Sequence, residues 1–296
     1  MPRFSEDTLS NWTKPPSDSE ETKLSNSERM IRKAINEDPV LSDKSTEVFG
    51  QGSYANDTNV RLNSDIDINV RYTGGFYFNL PEGISREDFG LTSPSEYSLN
   101  EFKNDVYTAL VRKFGTDSVQ RKNKCLTVLG NSYRVETDVV PTWNYRRYNK
   151  SGGYVLGAKL KADSGESVVN YPKQHIENGK QKNSETNRRF ERLTRIYRKL
   201  RYKMIDDGFP VGDSITSFLL ECLVWNVSNS ILNGSDTWQE RLKGSIVHLY
   251  EHTKDEDKCD EWDEVSELLY LFRGNRKWAK SDVNKFLVDA WNYLGY

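Results

Sequence analysis

The pattern of apolar and polar positions divides the chain into a mixed first part and a helical second part. Apolar residues at helical spacing predict helices over 25–37 and 99–114 in the first part. Strict alternation of polar and apolar residues, which is typical of strands, recurs between and after them. The predicted strands cover 47–49, 64–70, 118–121, 125–129, 133–140 and 155–161. Residues 74–97 carry Gly, Pro and Ser, and we expect an insertion loop there.

Helical spacing dominates after about residue 180. The predicted helices cover 184–206, 214–229, 235–253, 260–273 and 281–294. Gly, Ser, Asn and Pro concentrate over 165–180, so we place a boundary there. We expect a strand-containing lobe over 1–170, with residues 1–20 loosely ordered, and an α-helical lobe over 171–296. Because the strands cluster instead of alternating with helices, the fold class is expected to be α+β.

Composition narrows the class of protein. Of the 296 residues 35% are apolar and 12% aromatic, which suits a globular protein with a large polar cleft. An apolar run of about 18 residues is missing, so we expect no membrane span. The N-terminus lacks the apolar core of a secretion signal, and the expected location is the cytoplasm. Three widely spaced cysteines form neither a metal knuckle nor a disulfide framework.

A basic stripe follows the predicted helix 184–206, although the net charge of the chain is only −2. Its buried face is predicted to comprise Phe190, Leu193, Tyr197, Leu200 and Met204. The opposite side gathers Arg188, Arg192, Arg195, Lys199 and Lys203. Most of these cations are expected to be solvated. One or two, with Lys199 preferred, would turn into a cleft and hold an anion such as a triphosphate.

Two aspartates one residue apart carry the strongest chemical signal. Asp65 and Asp67 lie in an alternating strand, so both side chains project from one face and repel each other. A hard divalent cation such as Mg²⁺ relieves that repulsion. Asp138 lies in another predicted strand, which can pair beside the first. Asp-x-Asp is common on exposed strands, but the upstream Gly52-Ser53 turn, suited to phosphate, favours a two-metal site with ions roughly 3.5–4 Å apart.

Asn170 lies before Tyr171-Pro172, where the proline forces an extended backbone. Its amide is suited to reading the edge of a nucleobase. An ordinary loop with a capping asparagine explains the same residues equally well.

Taken together, these segments resemble a known family. Gly50-Gln51-Gly52-Ser53 followed by Asp65-Ile66-Asp67 resembles the Gly-Ser…Asp-x-Asp signature of the DNA polymerase β-like nucleotidyltransferases. More narrowly, the chain resembles the bacterial cGAS/DncV-like nucleotidyltransferases (CD-NTases). That likeness also covers the segments 170–179, 187–190, 217–226 and 290–296. The resemblance implies a bilobal enzyme, with a polymerase β-like lobe of mixed sheet and helices and an α-helical lobe that closes the active-site cleft.

The resemblance also implies roles for individual residues. Asp65 and Asp67 would bind two Mg²⁺ ions, which Mn²⁺ can replace. Asp138 would bind the catalytic metal and favour deprotonation of the attacking ribose hydroxyl. The residues implied in nucleotide binding are Gln51, Gly52, Ser53, Asn170, Lys199, Ser217 and Phe218. Among them Phe218 would stack on a base, and Asn170 resembles the base-contacting position of pyrimidine-accepting members, which makes UTP an expected substrate.

The implied activity is the joining of nucleoside triphosphates (ATP, UTP or GTP) into a cyclic di- or trinucleotide that activates an antiphage effector. Expected partners are these substrates and the product-sensing effector, without a membrane or a stable nucleic-acid partner. Alternative functions are nucleotide transfer to a tRNA or protein, a catalytically silent nucleotide-binding protein, and an activity gated by double-stranded RNA. The modest charge argues against a large RNA surface. The complete set of three aspartates argues against a silent protein.

Overall fold

The computed structural model describes residues 2–60, 65–91, 93–255, 257–274 and 277–296. The chain divides into two compact units. The first, called the sheet unit below, consists of Ser17–Tyr54 and Leu62–Pro172. The second, called the helical unit, consists of Met1–Pro16, Ala55–Arg61 and Lys173–Tyr296. The helical unit is therefore assembled from three separate stretches of the chain.

One seven-stranded sheet forms the frame of the sheet unit. Its strands are β1 (Thr46–Gln51), β2 (Ile66–Asn79), β3 (Val119–Arg121), β4 (Leu126–Val128), β5 (Thr137–Tyr148), β6 (Tyr154–Lys161) and β7 (Ser167–Asn170). The order is β1-β2-β5-β4-β3, and β6 extends the sheet from the second half of β5 to β7. β2 and β5 are parallel, whereas the other described pairs are antiparallel. The predicted α+β class is confirmed.

One face of this sheet is apolar because the alternating pattern places branched residues there. Ile66, Ile68 and Val70 of β2 are fully buried, as is Val139 of β5. They share a hydrophobic core with residues of two helices, α2 (Asp18–Asn36) and α4 (Leu99–Phe114). Burial of each such aliphatic side chain contributes about 1.5–3 kcal/mol. The polar positions of β2 and β5 consequently lie on the opposite face.

In the sheet unit, the predicted bounds agree most closely with the observed ones where the sequence contains a clear start or stop motif for the element. The helix predicted over 99–114 has those bounds, with a capping box formed by Ser98 and Glu101 at its start. β2 is longer than expected: it continues to Asn79, through part of the segment interpreted as an insertion loop. A register shift between Tyr72 and Phe76 absorbs the extra residues there and explains why the alternation is lost.

The helical unit contains the greater number of helices. They are α1 (Glu6–Trp12), α5 (Pro172–Glu185), α6 (Arg189–Asp206), α7 (Ser217–Trp225), α8 (Asn229–Asn233), α9 (Trp238–Thr253) and α10 (Lys280–Leu294). The short α3 (Gly52–Ala55) follows β1. The predicted apolar stripe of α6 lies in the core of this unit, together with Leu9 of α1. The lead-in expected to be loosely ordered is thus partly helical, because Leu9 anchors it in that core.

Two helix predictions in this unit are wrong. The single helix expected over 184–206 is interrupted, because Asn187 and Arg188 have φ angles of 49° and 64° and separate α5 from α6. The helix expected over 260–273 is absent from the described part of that segment, which consists of turns and one bridge between Asp263 and Tyr270. Among the described residues, none of the helices has the length and apolar character needed to cross a membrane.

Candidate active site

The pairing of β2 with β5 determines where two of the predicted aspartates lie. Asp67 and Asp138 are Cα partners in the parallel register, so their side chains project from the same face of the sheet. This is the face opposite α2 and α4. Asp65 immediately precedes β2. Burial, and then the negative charges of Glu136 and Asp138, raise the pKa of Asp65 above its ordinary value. The structure therefore brings the aspartate trio (Asp65, Asp67 and Asp138) to one end of two neighbouring strands.

Asp138 has partners that the sequence analysis missed. The Thr127 hydroxyl on β4 donates a hydrogen bond of 2.5 Å to Asp138 Oδ1. Lys122 Nζ lies 3.6 Å from the same oxygen. Burial and the adjacent Asp138 raise the pKa of the Cys125 thiol to about 11, so it stays protonated at neutral pH. The sequence did contain a hint of Thr127, because it is a polar residue between two apolar ones in a predicted strand. Its pairing with Asp138 across β4 and β5 is seen only in the structure.

The donor chemistry of the aspartate trio suits a hard divalent cation. Carboxylate oxygens are the ligands that Mg²⁺ takes from proteins. Burial is the main cause of the raised pKa of Asp65, and the negative charges of Glu136 and Asp138, which a cation would offset, add to it. The side-chain orientations do not themselves form a closed site: in the described part of the chain, no three His, Cys, Asp or Glu side chains are arranged to hold a metal ion. The backbone thus places the aspartates where they could share a divalent cation, although their side chains are not turned towards a common point.

The Gly-Ser turn lies directly against Asp67. Gln51, the last residue of β1, is the register partner of Asp67. Gly52 follows with a φ of 66°, a conformation that favours glycine. A Cβ atom added to Gly52 would lie 2.4 Å from Asp67 Oδ2. The glycine predicted to permit a close backbone approach therefore does so towards a carboxylate of the aspartate trio, with Ser53 next along the chain.

Asn170 lies on the same sheet, at the end of β7, and is exposed. It pairs with Ala158 of β6, which in turn pairs with Asn144 of β5. Side chains at one register position share a face, and alternation along β5 places Asn144 on the face of Asp138. Asn170 is consequently a strand residue on the face of the aspartates, and the alternative of a loop asparagine does not describe it.

The remaining predicted contacts belong to the helical unit. Ser217 and Phe218 form the first turn of α7, after Thr216 as its N-cap. Phe218 is 37% exposed and stacks on Trp278, with ring centroids 5.5 Å apart. The pKa of Tyr202 lies below its ordinary value. Burial would raise this pKa, but the hydrogen bond with Ser217 and the positive charges of Arg198 and Arg201 together lower it by more. Lys199 is partly exposed on α6.

Four of the five cations of the basic stripe are at least partly exposed, as expected, and Arg195 is the buried exception. Arg198, which lies on α6 outside the stripe, is buried as well. Arg195 donates to the backbone carbonyls of Thr13 and Asp57, and Arg198 donates to that of Thr58 at 2.8 Å. These cations hold the other two stretches of the helical unit in place, so the stripe supplies fewer candidates for anion binding than its sequence suggests.

A second buried polar group anchors the same stretch. Glu221 of α7 accepts hydrogen bonds from Asn56 Nδ2 and from the Thr58 hydroxyl, each at 3.0 Å. His175 Nε2 lies 2.9 Å from the Glu221 carboxylate. Sequence periodicity gave no signal for this network, because its members come from distant parts of the chain.

Known proteins match this chain over its whole length. The family model described as the cGAS/DncV-like nucleotidyltransferase C-terminal helical domain matches residues 177–295. A cyclic dipyrimidine nucleotide synthase, CdnE, from Cecembia lonarensis is 65% identical over 296 residues, which is 100% of each chain. A protein of the same description from Legionella pneumophila is 39% identical and covers 98% of this chain and 97% of its own.

A solved structure extends the likeness to three dimensions. The structure of the CdnE c-UMP-AMP synthase from Rhodothermus marinus with Apcpp and Upnpp is 29% identical to this chain. It superposes with a TM-score of 0.86 over 99% of this chain and 97% of that one.

Proposed function

Because the chain belongs to the cGAS/DncV-like nucleotidyltransferase family, we propose that it joins two pyrimidine nucleoside triphosphates, with UTP preferred, into a cyclic dinucleotide. The family resemblance stated from the sequence is confirmed, and with it the bilobal polymerase β-like fold and the nucleotidyltransferase activity that makes a cyclic oligonucleotide. The pyrimidine preference rests on the 65% identity to a cyclic dipyrimidine nucleotide synthase over the full length. One structural observation carries the assignment of the centre: Asp67 and Asp138 are paired on neighbouring parallel strands.

The proposed reaction forms one phosphodiester bond in each of two steps. A ribose hydroxyl of one nucleotide attacks the α-phosphate of the other, and the bond to pyrophosphate breaks. Asp65, Asp67 and Asp138 would hold two Mg²⁺ ions, or Mn²⁺ in their place, and such ions would stabilise the negative charge on the attacking and leaving oxygens. The charge of Asp138, whose carboxylate Thr127 orients, favours loss of the hydroxyl proton.

The nucleotide contacts form the second part of the proposal. Gly52 and Ser53 would bind the donor phosphates, and Ser217 and Lys199 are further proposed nucleotide-binding residues. The exposed ring of Phe218 offers a stacking surface for a base. Asn170 would read the edge of a pyrimidine, which its position on the face of the aspartates supports.

The product would act as a second messenger in antiphage signalling, and its proposed partner is an effector protein that binds the cyclic dinucleotide. The proposed location is the cytoplasm, where nucleoside triphosphates are made.

The experiment that tests this function uses purified protein, Mg²⁺ and pairwise mixtures of the four nucleoside triphosphates, with the products identified by mass spectrometry. We expect a cyclic dipyrimidine nucleotide without any added acceptor. Asp67→Asn and Asp138→Asn should abolish its formation while circular dichroism shows an intact fold. Product that appears only when tRNA or protein is added would favour an acceptor-modifying enzyme. Full activity in either variant would exclude the assigned roles.

A further inference from the structure

A hydrogen-bonded chain crosses three strands on the face that carries Asp67 and Asp138. The Thr142 hydroxyl of β5 donates to Asn69 Oδ1 of β2 at 2.7 Å. Asn69 Nδ2 donates to Gln51 Oε1 of β1 at 3.0 Å. Asn69 and Thr142 are only 1% and 2% exposed, whereas Gln51 is partly exposed. We call this the Thr142–Asn69–Gln51 relay.

The relay determines which atom of the Gln51 amide forms a hydrogen bond within the sheet. The Thr142 hydroxyl is buried, and among the described residues its acceptor is Asn69 Oδ1. A flipped Asn69 amide would leave that O–H without an acceptor, so the Asn69 oxygen points towards β5 and its nitrogen towards β1. The Gln51 oxygen accepts from that nitrogen and is thereby used within the sheet. An amide has one oxygen and one NH₂ group. The Gln51 NH₂ group is consequently turned away from Asn69, and no acceptor in the part of the chain that the structure describes binds it, so its two N–H donors are available to a ligand.

The position of Gln51 indicates what kind of ligand these donors face. Gln51 is the register partner of Asp67 and precedes Gly52, whose backbone closely approaches the Asp67 carboxylate. This is the end of the sheet where the proposed function places the donor triphosphate. Phosphate oxygens are acceptors only, so they bind an N–H group and repel an amide oxygen.

We propose that Asn69 and Thr142 are positioning residues that lock Gln51 as a hydrogen-bond donor to a phosphate oxygen of the bound nucleotide. The proposal rests on the function proposed above, and it assigns to two buried residues a purpose beyond packing. A buried polar side chain needs a partner, but leucine or valine would satisfy a purely structural requirement here. The relay instead selects one orientation of an amide that can otherwise flip.

The test measures binding of a non-hydrolysable UTP analogue by calorimetry, which does not require turnover. Asn69→Asp replaces the donor with an acceptor-only group, so the Gln51 amide must flip and present its oxygen to the phosphate. We expect about tenfold weaker binding, which corresponds to about 1.4 kcal/mol, because a hydrogen bond to a charged group is lost. Gln51→Ala should weaken binding by a similar factor. Asn79→Asp, at the exposed end of the same strand, makes the identical chemical change and should bind as the wild type does.

A double-mutant cycle separates the relay from a direct effect of the added charge. If Asn69→Asp acts through Gln51, the double variant Asn69→Asp/Gln51→Ala binds no more weakly than the weaker single variant. Additive losses, or wild-type binding by Asn69→Asp, would overturn the proposal. Equal losses for UTP, CTP and ATP analogues support the phosphate contact, while a loss confined to pyrimidine analogues overturns it in favour of a base carbonyl.

Thermal unfolding checks that each variant is folded. Should Asn69→Asp not fold, Thr142→Val removes the first donor of the relay at nearly constant volume and should weaken binding several-fold. Unchanged binding by Thr142→Val would then count against the relay. If the wild-type protein binds no nucleotide analogue at all, it is the proposed function that fails, not the relay.

Discussion

Gly52 has a backbone conformation that brings it against one member of the aspartate trio, Asp67. Its φ of 66° is strained for other residues, and an added Cβ would lie 2.4 Å from Asp67 Oδ2. We expect Gly52→Ala to lower the rate of pyrophosphate release about a hundredfold, because a displacement of about 1 Å in a reacting group has an effect of that size. The measurement is initial rate at saturating nucleotide.

Gly90 provides the matched control for this substitution. It has nearly the same φ, 65°, but an added Cβ would meet no atom within 4 Å. Gly90→Ala should therefore cost comparable backbone strain, about 1 kcal/mol, and leave the rate unchanged. If both variants lost activity equally, strain and not contact with Asp67 would be the cause.

Glu191 introduces a pH dependence of stability. Burial, and then the negative charge of Asp57, raise its pKa to about 7 in the folded protein, against about 4.5 for an unperturbed glutamate. Between these values the unfolded state releases a proton that the folded state retains, so stability falls as pH rises from 4.5 to 7. Glu191→Gln should raise the free energy of unfolding above pH 7 by on the order of 1 kcal/mol. Urea titrations at pH 4.5 and pH 8 measure this, and an equal gain at both values would contradict it.

The individual residues of the site were predictable only in part. Asp65, Asp67 and Asp138 stand out because carboxylates in alternating strands are costly without a cation. Asn69 occupies the next polar position of the same alternating run, so its face was predictable but its partner was not. Thr142 and Thr127 contact their partners across strands whose register depends on the whole sheet. Pairing between strands is the information that a single sequence lacks.

At the scale of elements, the sequence predicted the bounds of a helix correctly where all the residues that determine them lie within that segment. The capping box of α4 lies within one stretch of sequence and marks the helix start. The break between α5 and α6 escaped detection because neither Asn187 nor Arg188 is a glycine or proline, although both adopt positive φ. The helix predicted over 260–273 was wrong for another reason. Its apolar residues Trp262, Val265, Leu269 and Phe272 recur at helical intervals, whereas the backbone forms turns.

The α5–α6 break can be tested by substitution at Arg188. This exposed residue has a φ of 64°, which costs an L-amino acid about 1 kcal/mol. Arg188→Gly should therefore stabilise the protein by about 0.5–1 kcal/mol, and Arg188→Val should destabilise it, as measured by urea unfolding. Within a continuous helix the glycine variant would instead be destabilised by a similar amount.

At the scale of the whole molecule, the helical unit depends on stretches far from its main segment. Leu9 contributes to its core, and the buried Arg195, Arg198 and Glu221 take partners from residues 13 and 56–58. Each hydrogen bond to a charged group contributes about 1.5–3 kcal/mol, and several are lost when these stretches are removed. Such losses are comparable with the entire stability of a domain.

We therefore expect the fragment 173–296 not to fold by itself. Its circular dichroism should show no cooperative thermal transition, whereas the full chain should unfold cooperatively. Leu9→Ala in the full chain serves as the control: it should lower stability by about 2–5 kcal/mol and retain a cooperative transition. A fragment that melted cooperatively near the temperature of the full chain would refute this dependence.

The parallel pairing of β2 and β5 also determines when during synthesis Asp67 and Asp138 can come together. β2 leaves the ribosome first and pairs with β1, while its other edge stays open through the synthesis of α4, β3 and β4. Closing so long a loop makes the pairing slow. The nascent chain therefore carries half of the proposed catalytic centre beside an exposed strand edge, and we expect a truncated product that ends before β5 to be both inert and prone to aggregate.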